Sequence, residues 1–292
     1  MPAEDGSESR LRVRKTYKLA IGGAFPRSES GRSYPVEDSS GALLAQAAQA
    51  SRKDVRDAVV AARKAFPGWA AATAYNRGQV IYRVAEMLEG RREQFASEVA
   101  AAEGGTADAA LRSVDDSIDR IVWYAGWADK FAQVAGSANP IAGPYFNFSV
   151  PEPTGVVAIL APQESSLLGF VSVLAPVLCT GNTAVIVASE RRPLPAVSLS
   201  EVLATSDLPG GVVNVLTGFT SELAPWLASH RDVNAIDLTG VAAGDRADLQ
   251  RAAADNVKRV YIPAGEDWTD EPGIARLTAF VETKTVWHPI GV

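Results

Sequence analysis

Apolar positions first recur at helical spacing from Val55 onward: Val55, Val59, Ala62 and Phe66 follow Ser51-Arg-Lys-Asp54, whose chemistry suits a helix amino-terminal cap. Pro67-Gly68 is expected to stop this helix. A second helix is predicted through Ile81, Val84, Ala85 and Leu88, a third through Phe95, Val99 and Ala102, and a long fourth through Val114, Ile118, Ile121, Ala125 and Ala128. Ahead of them, Tyr17 to Ile21, Gly22-Gly23 and Ala24-Phe25 read as a short hairpin. The texture changes at Pro140, Gly143 and Pro144. Tyr145 to Val150 then alternates, with Phe146, Phe148 and Val150 on one face and Tyr145, Asn147 and Ser149 on the other. From Gly155 strand and helix alternate: GVVAILA, a helix through Leu167–Leu178, TAVIVA, a helix through Ala196–Ala204, VVNVL, a helix near Glu222–Ala228, NAIDL, a helix through Asp245–Ala254, and RVYI. Apolar strands separated by amphipathic helices predict a doubly wound, Rossmann-like α/β fold with a parallel sheet covered on both faces.

The pattern divides the chain into a tail (1–16), a helical amino-terminal part (17–133), a hairpin arm (134–152), the α/β part (153–270) and a closing strand (271–292). With 47% hydrophobic and 21% charged residues the chain has the makings of a full core. Its 28 Lys+Arg against 34 Asp+Glu, a net charge of −6, argue against a nucleic-acid partner. One cysteine and two histidines exclude a disulfide framework and a thiolate or imidazole metal cluster. The longest apolar run, Leu167 to Cys179, contains Pro176 and suits a buried helix better than a membrane span, so the expected location is cytoplasmic.

In doubly wound folds ligands sit at the carboxyl ends of the strands. Here those ends are Ala161-Pro162-Gln163-Glu164, Ala188-Ser189-Glu190, Thr217-Gly218-Phe219-Thr220 and Thr239-Gly240-Val241. Backbone amides and hydroxyls of Thr217, Gly218, Thr239 and Gly240 are candidates for holding a pyrophosphate, and Glu190 for accepting a ribose hydroxyl. Each has a plainer reading: glycine after a strand makes a tight turn, and Glu190 beside Arg191 and Arg192 is a solvated acid. No GxGxxG run is present.

PEPTGVVAILAP, GNTAVIVASE, LPGGVVNVLTGF and the LTG of Leu238–Gly240 resemble, in order and spacing, the cofactor-domain motifs of the NAD(P)-dependent aldehyde dehydrogenase superfamily. IGGAFPRSESGRSYPVEDSSG, DVRDAVVAARKAFPGWA and WYAGWADKF fit the same family, and Phe280–Trp287 resembles its closing strand. The resemblance implies NAD or NADP as cofactor, with Glu190, Gly218, Thr239 and Gly240 as the remnants of its site. The departures bear on activity. The family's Trp-Asn-Phe-Pro run is matched by Gln163-Glu164-Ser165-Ser166, so the amide that helps an oxyanion is replaced by a carboxylate. Val187 stands at the adenosine-ribose lysine, Val241 at a phosphate-contacting serine, and Pro263 at the general base. Glu266, three residues on, reads as a solvated turn acid beside Asp267. Only Glu271 to Leu277 lies where the family carries its nucleophile and substrate domain, which implies that the catalytic domain is missing.

No catalytic or metal residue is therefore assigned. Cys179, ending the apolar helix with no charge near it in sequence, reads as a small core residue. His230 and His288 lie far from it, and Ser165 and Ser166 lack a nucleophile elbow and suit helix capping. The family's oligomerisation elements are matched by Ser137–Val150 and Thr283–Val286. The expectation is an inactive subunit that assembles with, or regulates, a full-length aldehyde dehydrogenase paralogue, or pairs with itself, through those strands. A vestigial NAD(P)-binding module or sensor is the second reading. The third is an NAD-dependent aldehyde oxidoreductase active only in complex with a partner chain.

Overall fold

The computed structural model describes residues 13–291. Five strands make the central sheet: β6 (Val156–Leu160), β7 (Thr183–Val187), β8 (Val213–Leu216), β9 (Ala235–Asp237) and β10 (Arg259–Tyr261). All neighbours pair in parallel, in the order β10-β9-β6-β7-β8, so the winding reverses between β6 and β9. Alternate residues face opposite layers. Val157 and Ile159 of β6 join one core, with α2 (Ala74–Glu89), α4 (Ala107–Trp127), α6 (Leu168–Cys179) and α7 (Leu194–Ala204). Val156, Ala158 and Leu160 join the other, with α1 (Arg52–Ala71), α8 (Thr220–Ser229) and α9 (Arg246–Ala254). That two-sided covering is why these strands read as unbroken apolar runs. Helix α3 (Arg92–Glu103) packs on α4.

Two asparagines, Asn182 buried and Asn234 partly buried, set where the strands begin. The Asn182 side chain accepts from the Gly155 amide at 2.7 Å and donates to the Phe280 carbonyl at 2.8 Å, while the Asn234 side chain accepts from the Val156 amide at 3.0 Å. Helix α6 is buried along its whole length, as its composition predicts.

Two smaller sheets flank this body. The first orders β1 (Thr16–Tyr17), β3 (Leu43–Ala48) and β2 (Ser33–Glu37). It is docked on the end of β8, where the Thr217 hydroxyl donates to the Ala48 carbonyl at 2.5 Å and the Ala50 amide to the Thr217 carbonyl at 2.8 Å. The second sheet, an arm, orders β11 (Val281–Pro289), β5 (Tyr145–Pro153) and β4 (Ser137–Ala138), all antiparallel. The short helices α5 (Phe131–Ala135) and α10 (Ala275–Ala279) lead into β4 and β11.

Several local expectations are corrected. Helix α1 does not stop at Pro67-Gly68 but continues to Ala71, held by Trp69, which is buried and donates its indole N–H to the Leu178 carbonyl at 3.2 Å. The capping box is as expected, with Ser51 and Asp54 bonding each other's backbone amides. The Tyr17–Phe25 hairpin shrinks to a glycine turn with one bridge, Ile21 to Ala24, because Tyr17 pairs with β3 and Ala20 with Val215 of β8. Residues 1–12 of the expected tail lie outside the described residues; Lys15 and Thr16 are not tail, since Lys15 pairs with Glu201 at 2.9 Å and Thr16 belongs to β1. Among the described residues no helix is long and apolar enough to cross a membrane.

Candidate functional site

The reversal of winding between β6 and β9 opens a crevice at the carboxyl ends of the strands, where doubly wound sheets hold ligands. A cavity of about 710 Å³ lies there, between the loops after β6, β7 and β9 and the starts of α8 and α9. Gln163, Glu190, Thr220, Thr239, Val241 and Asp248 are among its lining residues.

Glu190 is not the solvated acid beside two arginines. It is half-buried, its Oε1 accepts the Thr220 amide at the start of α8, and its own amide donates to the Gln163 side chain at 2.9 Å. Thr239 and Gly240 also line the cavity, with other duties. A Cβ on Gly240 would stand 1.9 Å from the Ala161 carbonyl oxygen, so the close crossing of the β9 loop over β6 demands glycine. Thr217 and Gly218 face elsewhere: Thr217 is fully buried on Ala48, and Gly218 packs against the Ala50 backbone. The structure therefore brings together Glu190, Thr239 and Gly240 and leaves Thr217 and Gly218 behind the wall.

Beside the cavity, at the end of β9, lies a cluster that sequence reasoning missed. Asp237 has no exposed surface and Arg276 of α10 is 7% exposed. Arg276 donates to Asp237 Oδ2 at 2.7 Å, to Glu266 Oε2 at 2.5 Å and to the Thr239 hydroxyl at 2.9 Å. Tyr261 donates to Glu266 Oε1 at 2.6 Å, and the guanidinium stacks on the rings of Tyr261 and Trp268. Glu266 is thus an interior partner, correcting its reading as a solvated turn acid. Burial, then the bond to Glu266, pushes the Tyr261 phenol up to about 12. Arg120 of α4 fastens the same loop by donating to the carbonyls of Trp268 and Asp270 at 2.8 and 2.6 Å. The signal available in sequence was Asp237 itself, an acid inside an apolar strand run.

Cys179 is 1% exposed, and burial pushes its thiol up to about 12 despite the neighbouring Arg77 charge. Glu164 turns outward and pairs with Arg192 at 3.0 Å. Neither serine occupies the cap position of α6, which is Leu167: Ser166 bonds to the Glu103 carboxylate, and Ser165, two residues before the cap, accepts the Gly169 amide at 2.8 Å. Among the described residues no group of His, Cys, Asp and Glu is arranged to hold a metal. For a dinucleotide of the NAD type, the donor set fits in part. Glu190 stands at the end of the second strand, where a ribose acceptor belongs, but the lining contains Glu190, Asp245 and Asp248 and no cation to face a diphosphate.

Sheet order, covering helices and a crevice at the switch point define a Rossmann-like domain of the dehydrogenase type. The aldehyde dehydrogenase family model matches residues 25–265, and the chain belongs to that family. It is 30% identical over 270 residues to aldehyde dehydrogenase, cytosolic 1, of Elephantulus edwardii, a match covering 91% of this chain and 53% of the relative. Against retinal dehydrogenase 2 of Gallus gallus it is 34% identical over 260 residues, covering 87% and 49%. The NAD+ complex of an aldehyde dehydrogenase from Bacillus cereus superposes with a TM-score of 0.78 at 28% identity, over 84% of this chain and 50% of that one. The chain spans about half the length of the curated relatives it matches.

Proposed function

We propose that this chain is a non-catalytic aldehyde-dehydrogenase-like subunit that assembles with, or regulates, a full-length aldehyde dehydrogenase through its arm sheet. One observation carries the reading: the arm presents apolar side chains that the described residues leave uncovered. Tyr145 is 43%, Phe146 50% and Trp287 60% exposed, and β11 is an edge strand of nine residues. Exposed aromatic patches beside an unpaired strand edge are normally covered by another chain. The lack of self-contained chemistry supports the same reading. Pro263 stands where the resemblance puts the general base, Cys179 is a buried core thiol, and residues 262–280 form α10 and the Arg276 cluster where family chains carry a domain.

The test is co-expression with full-length aldehyde dehydrogenases of the same source, followed by size-exclusion chromatography. Co-elution as one species is expected, and it is lost with Phe146→Ser/Trp287→Ser. If the full-length chain supplies a site that this chain completes, aldehyde oxidation by the complex survives Cys179→Ala. Retained self-association without co-elution turns the reading to a homo-oligomer.

The cavity favours a second reading, a ligand-binding module derived from a nucleotide site. Its support is the position of Glu190 at the end of β7, with one carboxylate oxygen turned to the Thr220 amide. Calorimetry with NAD, NADP and their components tests it.

A further inference from the structure

We propose that the cavity under the loop from β10 to α10 binds a free α-amino acid, with the carboxylate on Arg120 and Tyr124 and the ammonium group facing Asp270 and Glu271. This cavity shares no lining residue with the crevice at the ends of β6, β7 and β9. It measures about 240 Å³ and is bounded by α4, by Ser172 of α6, by Tyr261 at the end of β10 and by residues 265–276. Sites for drug-sized ligands run from about 300 Å³ upward, so the space suits a small metabolite.

Two arginines face the cavity in opposite states. Arg276 is matched by Asp237 and Glu266. Arg120, 9% exposed, has no carboxylate partner among the described residues: its Nη2 donates to the Trp268 and Asp270 carbonyls at 2.8 and 2.6 Å, and its Nε is buried with no partner. A buried guanidinium without a counter-charge is costly. Burial is the largest influence on Arg120 and lowers its pKa; the charges of Asp116 and Glu271 act the other way, although neither acid forms a salt bridge with it. Tyr124 stands one turn along α4, on the same helix face. Burial pushes its phenol up to about 12, so the hydroxyl keeps its proton, and it makes no hydrogen bond among the described residues. Unlike the Arg120 Nε, the Arg120 Nη1 and the Tyr124 hydroxyl are not sealed off, and together they offer two donors to one carboxylate.

The rim has the opposite sign. Asp267, Asp270 and Glu271 are exposed there. Asp267 is occupied by the amide and hydroxyl of Thr269 at 2.9 and 2.7 Å, whereas the side chains of Asp270 and Glu271 make no hydrogen bond among the described residues. These acids repel a simple anion and attract an ammonium group. Donors below an acidic rim therefore match a zwitterion, and an α-amino acid is a small metabolite that carries both charges a few bonds apart.

Isothermal titration of the full chain with the standard L-amino acids one at a time, then with the amide and the deaminated acid of any that binds, tests this. At least one amino acid should bind at about 1 mM or tighter, and its amide and deaminated acid should each bind about tenfold or more weakly. Tyr124→Phe removes a hydroxyl that bonds to nothing in the chain, so it should weaken binding about tenfold and leave the urea midpoint where it is. Glu271→Gln, at an exposed position, should weaken the amino acid about threefold and leave the deaminated acid unchanged or tighter. Arg120→Gln should abolish binding, and the other two variants carry the test if it also loosens the loop. A deaminated acid that binds as tightly as the amino acid overturns the assignment of a zwitterion. Silence from every amino acid at about 10 mM, or binding that Tyr124→Phe and Glu271→Gln both leave unchanged, overturns the site.

Discussion

In the central sheet every residue of β6, β7 and β8 is buried, whereas in the arm sheet β11 has no buried residue and Phe146 and Trp287 are half exposed or more. Both sheets contain β-branched residues, but β6 and β7 are nearly unbroken apolar runs, whereas β11 carries Glu282, Lys284 and His288 and β5 carries Asn147, Ser149 and Glu152. The difference in composition follows the difference in covering layers. Helices on two faces cover the central sheet within the chain, and no element among the described residues does this for the arm's exposed aromatic side chains. Covering the remaining exposed half of the arm's aromatic side chains from outside would contribute on the order of 1 kcal/mol each. The α/β body is therefore covered within the chain, and the arm, which keeps uncovered apolar surface, is the part proposed to meet a partner.

The largest expected effect tests the self-sufficient half. Arg276→Met leaves Asp237 fully buried without its cation and should lower stability in urea by about 3–5 kcal/mol. Adding Asp237→Asn to that variant should restore at least half of the loss. A loss within about 0.5 kcal/mol for Arg276→Met would show that the body does not depend on the cluster. Next comes the core thiol: Cys179→Ala should cost about 1–2 kcal/mol by deleting a buried side chain. Because burial holds the thiol near 12, the intact chain should not react with a disulfide reagent at pH 8, and urea should release the reactivity. Prompt labelling of the folded chain would break the contrast between a closed interior and an open arm.

On the arm the sign reverses: substitutions there should disturb assembly and not folding. Phe146→Ser and Trp287→Ser should each shift the stability of the isolated chain by no more than about 0.5 kcal/mol. A small effect is also expected for Arg259→Ala. This exposed arginine meets Glu282 at 2.6 and 2.7 Å where β10 approaches β11, and the pair is worth under about 1 kcal/mol, less in high salt.

The α/β body was legible in sequence because its period and length signals are strong and tertiary packing reinforced them. Strands 156–160, 183–187 and 213–216 fall inside the runs named for them. Helix ends were less legible. Pro67 reads as a stop, but the tertiary anchor of Trp69 carries α1 past it. The site was legible only in outline. Glu190, Thr239 and Gly240 line one cavity, while Thr217 and Gly218, of similar appearance in sequence, pack against Ala48 and Ala50. Arg276 could not be found from sequence. Its role depends on a chain crossing of 39 residues that brings α10 to the end of β9.

Native mass spectrometry of this chain co-expressed with each full-length aldehyde dehydrogenase of its source addresses the central claim most directly. The expected result is a mixed species whose mass contains both chains, present for the unaltered protein and absent for Phe146→Ser/Trp287→Ser. A monomer with every such partner, or a mixed species untouched by the arm substitutions, would contradict it.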